Sequence, residues 1–258
     1  MTSNIQLYQG DCLEVMKNIP DKSVDLVLTD PPYGSTSCAW DSVIPLEPMW
    51  DVLKRIIKPN GAIVLFCSEP FTSLLICSNL KSFKYRMDWN KKIPSGMSYA
   101  RFRPMQQTED IAVFTSKGEP TKYNPQKVLR DKPIKSGGTK HSESAHIAVK
   151  DVNFKKTYDY KNPVTLLEFD KVRRGSVHPT QKPVPLMEYL IKTYSDEGGV
   201  VLDFTMGSST TAIASLNTNR NFIGIEKDEN YFNIGVNRVK EHIKCRDLKT
   251  ELVINTVD

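Results

Sequence analysis

The chain has 258 residues, 39% hydrophobic and 25% charged, with 35 Lys+Arg against 30 Asp+Glu for a net charge of +5. Those proportions suit a packed core and exclude a disordered or low-complexity chain. No apolar run reaches the roughly 18 residues of a membrane helix, and the N-terminus lacks a secretory signal's basic start and apolar stretch, so no membrane partner and an intracellular, cytoplasmic setting are expected. Five scattered cysteines without Cys-x-x-Cys or zinc spacing predict neither a disulfide framework nor a metal site.

Residues 1–116 read as alternating strands and helices. The runs VDLVLT (24–29) and GAIVLFC (61–67) are short, apolar and β-branched, as in buried parallel strands. Between them Leu46, Met49, Trp50, Leu53, Ile56 and Ile57 recur at helical spacing after Pro45, and Pro59-Asn60-Gly61 turns the chain into the second strand. A helix is predicted over 69–80, and strands over 85–89 and 111–115. From 117 to 175 the apolar periodicity fades and 14 Lys+Arg face 7 Asp+Glu, a net of +7 that leaves −2 for the rest of the chain. That segment reads either as a solvated insertion or as a phosphate-contacting region. Regular structure resumes over 176–245: a helix carrying Leu186, Tyr189, Leu190, Ile191 and Tyr194, a strand at 200–204, a helix at 210–216, a strand at 222–226 and a helix from Asp228 to about Ile243. The tail, 246–258, carries no clear signal. Strand, crossover helix and strand in repetition predict an α/β fold with a mostly parallel sheet, helices on both faces and an irregular basic insertion.

Two motifs follow directly on strands, where ligands bind in open α/β sheets. Asp30-Pro31-Pro32-Tyr33 offers a carboxylate, carbonyls on a backbone stripped of two N–H donors, and an aromatic face. Such a group can accept both hydrogens of an exocyclic amine while stacking on its ring; the competing reading is a Pro-Pro turn with a capping Asp. The second, from Asp203 to Thr211 (DFTMGSSTT), is a small-residue turn between strand and helix, with Glu226 ending the next strand. Its backbone can approach a cofactor closely, and the acid can bind ribose hydroxyls. It is neither a dinucleotide G-x-G-x-x-G nor a phosphate-binding loop, so it suits a nucleoside cofactor without a pyrophosphate, or a purely structural turn.

Taken together, these residues resemble the beta class of S-adenosylmethionine-dependent DNA amino-methyltransferases. Asp30-Pro31-Pro32-Tyr33 matches the catalytic motif, and Gly10-Asp11-Cys12, Trp40-Asp41 and His178-Pro179-Thr180-Gln181-Lys182-Pro183 match further stretches. The cofactor motif departs at two places: Phe204 directly follows Asp203 with no intervening Pro, and Ser209 stands where a second Gly is common. The resemblance implies a Rossmann-like methyltransferase sheet and S-adenosylmethionine as cofactor. Its adenosine part would lie near Asp11, Cys12, Phe204 and Glu226, and its methionine part near Asp30, Gly207, Ser208, His178, Thr180 and Lys182, with Asp203, Ser209 and Thr210 completing the motif. Lys182 would pair with the methionine carboxylate or stand as a surface lysine, and Cys12 reads as a packing residue. The 117–175 segment would be the target-recognition region, with Lys155, Lys156 and 171–174 as phosphate contacts.

As implied partner stands double-stranded DNA with its target base flipped out, in a bacterial or phage-encoded enzyme for which a homodimer is open. Asp30 and the Pro31 carbonyl would accept the amine hydrogens and localise the lone pair, with Tyr33 stacked on the base. Asp in the first motif position points within the family to adenine N6, with cytosine N4 as the alternative. Other readings are a protein or RNA methyltransferase, which normally has the reverse motif order, and a DNA-binding regulator without turnover.

Overall fold

The computed structural model describes residues 3–34, 42–116, 121–136, 156–172 and 181–256. Two compact units divide the chain, residues 125–164 and the remainder. The larger carries strands β1 (Ser3–Gln9), β2 (Val24–Thr29), β3 (Ile57–Cys67), β4 (Phe83–Ser95), β5 (Gln106–Thr115), β8 (Leu166–Glu168), β9 (Val200–Asp203), β10 (Asn221–Glu226) and β11 (Thr250–Thr256). Its helices are α1 (Cys12–Val15), α2 (Leu46–Ile56), α3 (Phe71–Ser78), α4 (Val184–Tyr194), α5 (Thr210–Asn217) and α6 (Glu229–Arg246). The smaller unit is an antiparallel pair, β6 (Val128–Ser136) and β7 (Lys156–Lys161).

The nine strands form one sheet in the order β11-β1-β10-β9-β2-β3-β5-β4-β8. β5 alone among them runs against its neighbours, so the carboxyl ends of the other eight open on one edge. Strand alternation sorts the core into two layers. Leu26 and Leu28 of β2 face a cluster holding Leu186, Leu190, Ala212, Leu216, Phe232 and Val239 from α4, α5 and α6. Val27 faces the other side, with Val15, Met49, Trp50, Leu53 and Leu75 from α1, α2 and α3. Helices therefore cover both faces, as the βαβ pattern requires, and each fully buried Leu or Phe contributes about 1.5–3 kcal/mol. Among the described residues no helix is long and apolar enough to cross a membrane.

Several boundaries differ from the sequence reading for local reasons. Residues 58–61 sit in a register shift between β2 and β3, so the Pro-Asn-Gly turn is a bulge inside β3 rather than a loop before it. β1 and β11 escape the pattern because few of their residues are apolar and fully inward: Ile5 and Leu7 in β1, and none in the edge strand β11. The tail thus ends in a strand paired parallel to β1. The basic segment is less irregular than expected, since β6 and β7 pair, and β8 returns the chain to the main sheet beside β4. Val128, Leu129, Tyr158 and Tyr160 are exposed on that hairpin, so no buried stripe marks its strands in the sequence.

Candidate active site

Four neighbouring parallel strands, β1, β10, β9 and β2, deliver Gly10-Asp11, Glu226, Asp203 and Asp30 to one edge. Between them opens a cavity of about 600 Å³, ample for a nucleoside-sized ligand. Every described residue assigned from the sequence to catalysis or cofactor binding lines it except Ser209. Ser209 takes a left-handed conformation (φ 59°), is fully buried, and turns its Oγ toward Met206 Sδ at 3.4 Å. A Cβ on Gly235 of α6 would meet that hydroxyl at 2.4 Å, so a glycine there accommodates the serine that replaces the family's usual one. His178 and Thr180, with Trp40, Asp41, Lys155, Arg173 and Arg174, lie outside the described residues.

On one side the cavity is built from backbone and acids. Glu226 accepts from the Gly207 N–H at 2.8 Å and the Asp228 N–H at 2.9 Å, one on each oxygen. Each oxygen keeps a lone pair for a ligand hydroxyl. Burial raises the Glu226 pKa against those two N–H groups. Asp11 caps α1 through the Leu13 N–H (2.9 Å) and pairs with Lys227 (3.1 Å). Burial alone would raise its pKa, but Lys227 and the N–H donors prevail and hold it down. Cys12 has its thiol pushed up to about 12, chiefly by burial, which fits a packing residue better than a nucleophile. Gly207 (φ 48°) bends the turn, and Arg238 of α6 clamps it by donating to the Ser208 carbonyl (2.8 Å) and Thr210 Oγ1 (2.9 Å).

Asp203 braces the floor. Thr29 and Thr211 hydroxyls donate to its two oxygens at 2.6 and 2.5 Å, and the Thr205 N–H adds a third bond at 3.2 Å. Burial nevertheless raises its pKa to about 6. Thr29 Oγ1 also lies 2.6 Å from Thr205 Oγ1, whose hydroxyl donates to the Asp30 carbonyl at 3.1 Å. A chain of side chains therefore ties the second motif to the backbone of the first.

The opposite side is an ion cluster. Lys182 Nζ donates to Asp30 Oδ2 at 2.5 Å and pairs with Glu109 Oε1 at 2.8 Å, and its ammonium sits 4.9 Å from the Phe66 ring centre. The Tyr33 hydroxyl donates to Asp30 Oδ1 at 2.5 Å and lies 3.3 Å from Glu109, while its ring stacks on Phe71 at 5.4 Å. Burial would strip the proton from Lys182, but Asp30 and Glu109 outweigh it and raise its pKa. Burial pushes the Asp30 carboxyl up, with Lys182 opposing. Lys182 is thus not a surface residue: it is 8% exposed and paired with two acids. Glu109, Arg238 and the threonine chain were missed by the sequence reading. Glu109 sits in a polar run, QQTED, that no motif marks.

The donor set fits S-adenosylmethionine: acids at Asp11 and Glu226 for hydroxyls, Phe204 for an apolar wall, and a glycine turn admitting close backbone approach. Comparison with known proteins agrees. The DNA methylase profile of N6/N4 methyltransferases matches residues 24–237. The chain is 29% identical to the DNA adenine methyltransferase YhdJ of Escherichia coli (strain K12), covering 94% of this chain and 85% of that protein. It is also 29% identical to the type II methyltransferase M1.MboII of Moraxella bovis, over 88% of this chain and 94% of the relative. Among solved structures, the M1.HpyAVI–SAM complex aligns with TM-score 0.63 at 28% identity, over 91% of this chain and 99% of that one. The cytosine-N4-specific PvuII DNA methyltransferase aligns with TM-score 0.64 at 17% identity, over 98% and 96% respectively, and shares the fold. The chain belongs to this DNA methylase family of S-adenosylmethionine-dependent enzymes that methylate DNA.

Proposed function

We propose that the chain methylates the N6 amine of adenine in double-stranded DNA, with the target base flipped into the cavity. One observation carries the reading: Asp30–Tyr33 and the 203–211 turn, far apart in sequence, line a single cavity at adjacent strand ends. Bound S-adenosylmethionine supplies an electrophilic methyl group on sulfur. Asp11, Cys12, Phe204 and Glu226 would hold the adenosine part; Asp30, Gly207 and Ser208, with His178 and Thr180 from the matching motif, would face the methionine part.

An aromatic amine is a poor nucleophile because its lone pair is delocalised into the ring. Asp30 has four acceptor positions on its carboxylate, of which Tyr33 and Lys182 take two. The others, with the Pro31 carbonyl, can accept the two amine hydrogens and localise the lone pair. Lys182, 2.5 Å from Asp30 Oδ2, opposes the burial that pushes the Asp30 carboxyl up and fixes its orientation, so the acceptor is positioned before the base arrives. The amine proton becomes acidic once the new N–C bond forms, and Asp30 is placed to receive it. Tyr33, already fixed against Phe71, offers a ring for the base.

Asp at position 30 and the resemblance to an enzyme named as an adenine methyltransferase support N6 over cytosine N4. The basic 117–175 segment supports a recognition role through phosphate contacts. The test is nucleoside analysis of DNA from a host expressing the chain. N6-methyladenine above the host background is expected; N4-methylcytosine in its place would overturn the choice of base.

A further inference from the structure

The connection between β4 and β5, residues 96–105, is ordered yet presents its largest apolar side chains to solvent. Gly96 enters it at φ 92°, a 3-10 turn follows at Met97–Tyr99, and Phe102 and Arg103 N–H groups donate to the Tyr99 carbonyl at 2.9 and 3.1 Å. At its base Ser95 pairs with Gln106, whose side chain donates to Ser68 Oγ at 2.7 Å. On this braced turn Phe102 is 85% exposed, Met97 74% and Tyr99 56%. Arg101 and Arg103 flank Phe102, and the Arg103 guanidinium lies 5.2 Å over the Tyr99 ring. Residues 91–107 hold four cations and no acid.

The loop also stands at the catalytic edge. β4 runs in the same sense as β2, so its carboxyl end opens where Asp30 lies, and Glu109, three residues into β5, reaches Tyr33 and Lys182. Exposed apolar side chains on a fixed turn mark an interaction site. Their arginine neighbours select a polyanion over a second copy of the chain, since a two-fold contact through this patch would oppose like charges.

We propose that loop 96–105 is a DNA-contacting element distinct from the basic 117–175 segment, with Phe102 inserting into the base stack beside the target and Arg101 and Arg103 on flanking phosphates. An apolar wedge offsets the stacking lost when a base leaves the duplex, and arginine contacts position it. The inference rests on the reading of the cavity as a DNA-methylating site with a flipped base.

The test compares Phe102→Ala with the unaltered chain on a duplex and on the same duplex with the target base mismatched, where less stacking is lost. The variant should lose about tenfold in transfer on the paired duplex and stay near the unaltered rate on the mismatched one. Cofactor affinity should not change, and because the ring is exposed, its removal costs no packing. An Arg101→Gln/Arg103→Gln variant should flatten the slope of log affinity against log salt by about 1–2. Equal loss on both duplexes, or no loss on either, would overturn the wedge. A shift from dimer to monomer with transfer retained would assign the patch to a second copy instead. Absence of transfer by the unaltered chain on every DNA would count against the methylating reading itself.

Discussion

The two ends of the cavity are stabilised in different ways. At the cofactor end, acids are satisfied by backbone N–H groups and neutral hydroxyls: Glu226 by two backbone N–H groups, Asp203 by two threonine hydroxyls and one N–H. At the catalytic end, Asp30 is satisfied by side chains with an alternative partner, since Glu109 lies within reach of both Lys182 and Tyr33. The first arrangement is a rigid cradle. The second is a compensated charge cluster that can rearrange around an incoming amine without leaving a buried charge unpaired. Binding and transfer should therefore respond to different substitutions.

The largest separable effect is expected on stability at the cradle. Asp203 titrates at about 6 against an ordinary 3.8, so the folded chain binds this proton more tightly than the unfolded one. Stability from this group is fully present below about pH 3.8 and is lost as pH rises through about 6, a change of about 3 kcal/mol. In Asp203→Asn that contribution to the pH dependence of urea unfolding should vanish; an unchanged slope between pH 4 and 6 would show that Asp203 is not the strained group. A smaller effect is expected at Glu226. Glu226→Gln gives up charge-assisted bonds worth about 2 kcal/mol, so calorimetry should find S-adenosylmethionine bound about 30-fold more weakly. Transfer at saturating cofactor should persist. If the turnover rate fell instead and affinity held, the two ends would not be separable.

Much of this architecture was legible because certain residues leave few alternatives. Val24–Thr29 is almost wholly apolar and ends in Asp-Pro-Pro-Tyr, so both the strand and the group it delivers could be read directly. Glu226 was legible for the same reason, at the end of NFIGIE. β1 was not, because polar residues flank Ile5 and Leu7 and their partner strand β10 arrives more than 200 residues later. The partner of Lys182 was equally hidden: Asp30 is 152 positions away, and a lysine beside a Pro turn carries no mark of burial. Ser209 shows the converse, a visible departure whose accommodation by Gly235 emerges only when α5 and α6 are packed. Local pattern reveals elements and strand-end acids; the wiring between distant strand ends comes from topology.

The most direct measurement sets Asp30→Ala beside the unaltered chain, recording S-adenosylmethionine binding and methyl transfer to DNA in the same preparation. Lys182 retains Glu109 in that variant, so the fold and the cradle should survive. The prediction is cofactor affinity within a few-fold of the unaltered chain and transfer reduced by about 10³ or more. Transfer at an undiminished rate, or loss of cofactor binding in step with activity, would contradict the account.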